Sequence, residues 1–456
     1  MTNVLDLVDQ VHFLGERATG AVNLVQCVWV YDRAVDIDGL RRFHQHLGRG
    51  RLRRRIERSP LPFGRHRWVS AVDQSELEIT ATPRPRSELD AWCSEQAGKP
   101  LDAEHGPGWH LAVLSFTEGG AAVSLVTSHC LTDGVGLCQA LADAASGRAD
   151  AVAWPAAGSR RRRRAIREDA RQTVCDTRDI GRAVAAAARL AGAGRRSSAS
   201  SAPSPVKRPT TGADERIAVP TATIFVDADA WDARVQALGG TDSALLAGLA
   251  ARLAQRLGRV TADGSVEMTM PVDDRGPGDA RANAITNADF VVDPTPATTD
   301  LREIRAAIMQ ALSRHQDAPD ERWALLPLVP LIPKRLFKRM INVATGNAMT
   351  VASSNLGTID PAVNRPDGTD ADYFATMSLY PGVTKATMLR VGGVLGLITG
   401  RSNGHVFVSV RAYQPGRTNS KDELRQSVSE ALIDFSLTDI TTLHTGCAPR
   451  AAVARR

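Results

Sequence analysis

The stretch SHCLTDGVG, residues 128–136, holds the side chains best suited to chemistry in this chain. An apolar run, AAVSLVTS, precedes it, so His129 sits where a strand ends and a loop begins. An imidazole placed there faces the mouth of a cleft rather than a core. Its ordinary pKa of roughly 6.5 leaves it able to take a proton from an alcohol or an amine near neutral pH. Asp133 stands four residues further on, and Gly134 and Gly136 permit a tight turn and close backbone approach. Ser128 makes no nucleophile–base pair with His129, because adjacent strand residues point to opposite faces. On residue chemistry alone, a catalytic base and a hydrogen-bonded structural histidine stay equally open.

The elements that position this loop alternate along the chain. Apolar, β-branched runs predict strands at 21–31, 221–229, 266–273, 288–293, 388–400 and 405–413, with SNG turning between the last two. WHLAVLSF (109–116) and AAVSLVTSH (121–129), joined by EGG, predict a β-hairpin. Helical spacing with plausible caps predicts helices at 36–47, 87–98, 136–146, 165–191, 242–257, 300–315 and 421–435. Residues 192–213 are rich in Ser, Pro and Ala with little to bury, the composition of a linker. The pattern predicts an α/β (α+β) protein with an N-terminal lobe over 1–190, a linker over 191–214 and a C-terminal lobe over 215–456.

Composition narrows the function classes. The chain has 456 residues, 43% hydrophobic and 23% charged, enough to bury a sizeable core. Lys and Arg exceed Asp and Glu by six, and the excess is largely arginine at 41–59 and 159–169. Both patches read as solvated faces, and without interleaved aromatics they predict no nucleic-acid partner. Six cysteines without CxxC spacing predict reduced thiols and no metal site. No GxxxxGK[ST] and no GxGxxG follow a strand, so a P-loop and a dinucleotide site are unsupported. His44, His46 and His66 read as surface groups, His105 and His110 as satisfied or solvent-facing, and Trp109 and Trp323 as packing residues. The N-terminus lacks a signal-peptide pattern, which predicts a cytoplasmic protein. Segment 323–340 is apolar, broken by prolines and then basic (Lys334, Arg335, Lys338, Arg339). It leaves open a peripheral contact with the inner membrane face.

The SHxxxDG stretch resembles the HHxxxDG motif of the condensation-domain superfamily. That superfamily includes peptide-synthetase condensation domains, polyketide-associated acyltransferases and wax ester synthase/diacylglycerol acyltransferases. Other segments match in order: LDLVDQVHFL (5–14), HQHLGRGRLRRRI (44–56), KPLDAEHGPGWHLAVLSF (99–116), PVDDRG (271–276) with RANAITNADF (281–290), and ASSNLGTID (352–360). The family's first motif histidine is Ser128 here, while its catalytic second histidine falls on His129. The resemblance implies two chloramphenicol acetyltransferase-like lobes around a central cleft open on both faces, with His129 as general base. It implies that Asp133 pairs with Arg275 in a structural role and that Gly134 leaves room for the acyl donor. Ser128, Asn355 and Gly357 are implied to lie against substrate, the last two in a segment crossing between lobes. The implied reaction moves an acyl group from acyl-CoA or an acyl carrier protein to an alcohol or amine, with no permanently bound cofactor and no acyl-enzyme. A hydroxyl on a lipid or glycolipid leads as acceptor. Amide formation by a free-standing condensation enzyme, and a non-catalytic binding protein, are the alternatives.

Overall fold

A computed structural model describes residues 3–71, 76–148, 153–197, 215–276, 278–317, 323–333 and 349–443. The first half runs α1 (Leu7–Thr19), β1 (Leu24–Tyr31), α2 (Ile37–Leu47), β2 (Arg54–Glu57), β3 (Arg67–Ser70) and β4 (Glu78–Ile79). It continues through α3 (Leu89–Ala97), the hairpin β5 (Trp109–Ser115) and β6 (Ala121–Ser128), α4 (Gly134–Ala145) and the long α5 (Arg162–Ser197). The second half runs β7 (Thr221–Asp227), α6 (Ala228–Ala237), α7 (Asp242–Arg256), β8 (Val266–Asp273), β9 (Ile285–Val292) and α8 (Arg302–Asp317). A 3-10 stretch (Trp323–Leu331), β10 (Val351–Thr358), β11 (Tyr373–Leu379) and α9 (Lys385–Arg390) follow. The described chain closes with β12 (Val394–Ser402), β13 (His405–Tyr413), α10 (Lys421–Asp434) and β14 (Ile440–Thr442).

Two large sheets organise these elements, with β2 and β3 paired in a separate small one. The first has the order β11-β1-β6-β5-β4 and the second the order β14-β7-β13-β12-β10-β8-β9. β1 and β6 are buried at every position, as expected of strands covered on both faces. The two sheets meet through aromatic rings: Phe225 on β7 lies 5.0 Å from Tyr373, and Phe407 on β13 lies 6.0 Å from Phe374. Burial of each such ring contributes roughly 1.5–3 kcal/mol. α7 packs against the second sheet with ten buried residues, its N-terminus capped by the Thr241 hydroxyl accepting from the Ala244 N–H at 3.2 Å.

β11 comes from the second half of the chain but joins the first sheet, antiparallel to β1 from Leu24↔Leu379 to Val30↔Tyr373. The expected crossing segment, 352–360, instead runs as β10 within the second sheet, parallel to both β12 and β8. Helix α5 extends past the expected lobe end to Ser197, while residues 198–214 of the expected linker lie outside the described residues. The strand expected at 388–400 starts later, because Thr384 caps α9 and positive-φ glycines at 392 and 393 separate it from β12. Of the segment 323–340, the 3-10 stretch is described; Lys334, Arg335, Lys338 and Arg339 lie outside the described residues. No helix among the described residues is long and apolar enough to cross a membrane.

Candidate active site

His129 immediately follows β6, and its backbone N–H donates to the Asn23 carbonyl at 2.9 Å. Its carbonyl accepts from Asn283 Nδ2 at 3.1 Å, so the first residue of the loop is held from both halves of the chain. The half-buried ring lines a cavity of about 190 Å³ between the two sheets. The cavity walls include Val25 and Ser378 from the first sheet and Asn355 and Leu397 from the second. A cavity of about 400 Å³ shares Thr221 and Met377 with it on one side. Another, of about 560 Å³, shares Val135, Asp273 and Leu356 on the other. The cavity that the imidazole lines thus adjoins two further spaces.

The ring has a partner that the motif does not name. His12 on α1 stacks on it, with centroids 5.3 Å apart and planes within 11°. Burial, reinforced by the neighbouring His129, lowers His12 to about 3, so it is a neutral face against the base. Burial also lowers His129, and the Asp133 charge opposes that shift. His129 Nδ1 is buried without a hydrogen bond to a described residue. A neutral imidazole of this kind is a proton acceptor near pH 7.

Asp133 meets the opposite environment. Its Oδ1 accepts from the Gly136 N–H at 2.7 Å and caps α4. Its Oδ2 accepts from Arg275 Nη2 at 2.8 Å and from the Ala284 N–H at 2.9 Å. The two side chains are 2% and 4% exposed, and Arg275 also pairs with Asp273 at 3.0 Å. The glycines make room here through close approach, since neither Gly134 nor Gly136 has positive φ. A Cβ on Gly136 would fall 3.0 Å from Thr132 Oγ1 and 3.1 Å from Arg275 Nη2; one on Gly134 would fall 3.1 Å from Leu356.

Two further buried groups lock the loop. Asp9 on α1 accepts from the Ala282 and Asn283 N–H groups at 3.1 and 2.8 Å and from Asn283 Nδ2 at 3.1 Å. Burial pushes its carboxyl up to about 6, against the pull of Arg54 and these donors. Arg54 on β2 donates to the Leu131 carbonyl at 3.1 and 2.6 Å and to that of Ala280 at 2.7 Å. It also lies 4.6 Å over the Trp68 ring, and burial lowers it to about 10. This corrects the reading of 41–59 as a wholly solvated basic face: Arg54 is 5% exposed because it serves loop carbonyls. His66 is likewise buried rather than superficial, edge-on to Phe13 at 5.4 Å.

Of the remaining expected residues, Asn355 and Gly134 line the cavity with His129. Gly357 does not; its N–H donates to Asn355 Oδ1 at 2.8 Å, at a backbone φ of 68° that favours glycine. Ser128 is a correction too. It is 1% exposed and does not line the cavity, because its hydroxyl turns back to accept from the Cys130 N–H at 3.2 Å. The pentapeptide Gly400-Arg401-Ser402-Asn403-Gly404 spells GxSxG, but it turns the β12–β13 hairpin, and a nucleophile elbow needs a helix after the serine.

Residues 43–221 match the family model described as the wax ester synthase/diacylglycerol acyltransferase catalytic domain. Over nearly its whole length the chain is similar in fold to polyketide synthase associated protein 5 from Mycobacterium tuberculosis. That match has 15% identity, covers 95% of this chain and 98% of the other, and has a TM-score of 0.55. The first condensation domain of the CDA synthetase gives 14% identity, 97% and 98% coverage and a TM-score of 0.56. The chain has the condensation-domain fold. The fold also matches the epimerization domain from the third module of tyrocidine synthetase B, at 13% identity, 96% and 95% coverage and a TM-score of 0.52. Comparison with the curated proteins gives no match. The matched acyltransferase segment carries His129 and Asp133; Arg275 and Asn283 reach the loop from beyond it.

Proposed function

We propose that the protein transfers an acyl group from a thioester, acyl-CoA or acyl carrier protein, to a hydroxyl on a lipid or glycolipid acceptor, with His129 as general base. The observation that carries this reading is a neutral imidazole lining a cavity between two sheets, with further space adjoining on both sides. Two substrates brought from opposite sides would meet beside the ring.

The chemistry needs few groups. His129 takes the hydroxyl proton as the oxygen attacks the thioester carbonyl. The tetrahedral intermediate collapses, the C–S bond breaks, and the imidazolium returns its proton to the thiolate. Positioning two bound reactants removes several kcal/mol of the barrier. Base catalysis adds roughly 10²–10⁴ in rate. The neutral His12 ring would stabilise the imidazolium formed above it, as aromatic faces do cations. Asp133 and Arg275 hold the loop and touch no reactant. The cavity walls mix Val25, Ile285 and Leu397 with few charges, which suits a long apolar chain.

The test is thiol release from a long-chain acyl-CoA, read with a thiol reagent, with and without a long-chain alcohol. The wild type should release thiol faster when the alcohol is present, and His129→Ala should abolish that stimulation. Equal rates in the two proteins would leave a binding protein of the same fold as the better description. Stimulation by amines alone would move the product from ester to amide.

A further inference from the structure

Among the described residues that line the cavity, Arg411 is the sole Lys or Arg. It lies on β13, opposite Gly396 of β12 and Thr221 of β7. Gly396 makes its position possible: a Cβ there would fall 3.2 Å from Nε and 3.5 Å from Nη2. Nη1 donates to the Ser378 hydroxyl, and that hydroxyl bonds Asn23 Oδ1 at 3.1 Å. Asn23 is also the residue whose carbonyl holds the His129 N–H. A short polar chain therefore links the guanidinium to the backbone of the base. The Tyr380 ring lies 4.5 Å from Cζ and fixes the plane from the other side.

Arg411 still has unused capacity. Nε is buried without a hydrogen bond to a described residue, and no described carboxylate forms an ion pair with the side chain. Arg275, whose Nε likewise lacks a bond to a described residue, has its charge paired by Asp133 and Asp273, and Arg54 donates to backbone carbonyls. A guanidinium cannot shed its charge, and its planar fork matches a carboxylate. The half-buried guanidinium stands beside Val410 and Leu397 with no described carboxylate paired to it, so its charge is available to an anion entering the cavity. A cavity of about 190 Å³ that must also admit a thioester and a nucleophile leaves little volume for a larger anion such as a phosphate ester.

We propose that Arg411 receives a carboxylate carried by one of the two substrates, so that the cavity selects an acidic acceptor or an acyl chain with an acidic terminus. The proposal rests on the reading of this cavity as the substrate site, but it concerns binding rather than proton transfer. Arg411 is accordingly a specificity residue, and its loss should cost discrimination more than the chemical step.

The test is calorimetric titration of the full chain with matched probes. 3-Hydroxydecanoate against its methyl ester examines the acceptor; sebacoyl-CoA against decanoyl-CoA examines the acyl group. The acid should bind roughly 10- to 100-fold tighter than its neutral partner in one of the two arms, which identifies the source of the carboxylate. Arg411→Gln should erase that preference while the neutral partner binds as before, and Arg411→Lys should keep part of it. The neutral partner also serves as the folding control; if Arg411→Gln loses it, the Lys variant decides by whether the preference shrinks. His129→Ala should keep the full acid preference while losing turnover, so failure of the base and failure of the carboxylate site give different results. Equal affinities in both arms, no binding of either acid, or a preference that survives the Arg411 variants would overturn the proposal.

Discussion

His129 and Asp133 stand in one loop, four residues apart, in opposite surroundings. The carboxylate has both oxygens engaged, by the Gly136 and Ala284 N–H groups and the Arg275 guanidinium, and is closed off from solvent. The imidazole has a stacked ring on one side, a cavity at its edge and a nitrogen with no partner among the described residues. The difference separates a group that stores stability from one left available to react. Asp133, Asp9 and Arg54 anchor the loop from three elements, so His129 can stay open without the loop losing its shape.

The sharpest way to break this contrast is Asp133→Ala. It strands a buried Arg275, uncaps α4 and frees the Ala284 N–H, so it should cost about 3–5 kcal/mol in a denaturant melt. His129→Ala should do the reverse. Turnover should drop by roughly 10²–10⁴ while the denaturation midpoint barely moves. If the two substitutions instead gave the same stability loss, the separation of roles would collapse. Gly136→Ala sits between them. Its Cβ would press on Thr132 and Arg275 at 3.0 and 3.1 Å, which predicts a loss of about 1–3 kcal/mol.

A pH series sharpens the comparison further. Asp9 is raised to about 6 from 3.8 in the folded chain. Between those values the folded state holds a proton that the unfolded state has released. This group therefore makes stability decline as pH rises from about 4 to 6, by about 2–3 kcal/mol, and it changes nothing further above that window. Asp9→Asn should flatten this part of the stability curve. The smallest effect is expected of His12→Phe, which keeps an aromatic face but removes the ring nitrogens. It should leave stability near wild type and change kcat only a few-fold, whereas His12→Ala should lower kcat by about tenfold through loss of the stack.

The loop itself was legible because its groups are contiguous: a strand, then His129, then Asp133 and two glycines. The Asp133–Arg275 contact came from resemblance, since nothing local in PVDDRG distinguishes Arg275 from a solvated arginine. His12 went unread because its meeting with His129 is made by tertiary packing of α1 against the loop, and nothing local in LDLVDQVHFL marks it. Arg54 was hidden in a run of exposed arginines; burial is decided by β2 passing under the loop, not by composition. β11 was missed for a related reason. Thr376 and Ser378 interrupt its apolar pattern because one face lines the cavity rather than a core. Ser128 was implied as a substrate contact by the resemblance, but strand alternation turns it away from the cavity.

The central claim is that His129 is a neutral proton acceptor in the folded protein. Long-range proton–nitrogen spectra of the imidazole rings, assigned by comparison with His129→Ala, measure this directly. The account predicts a neutral His129 at pH 7 that titrates below the ordinary histidine value of 6.5. A His129 ring already protonated at pH 7 would contradict it.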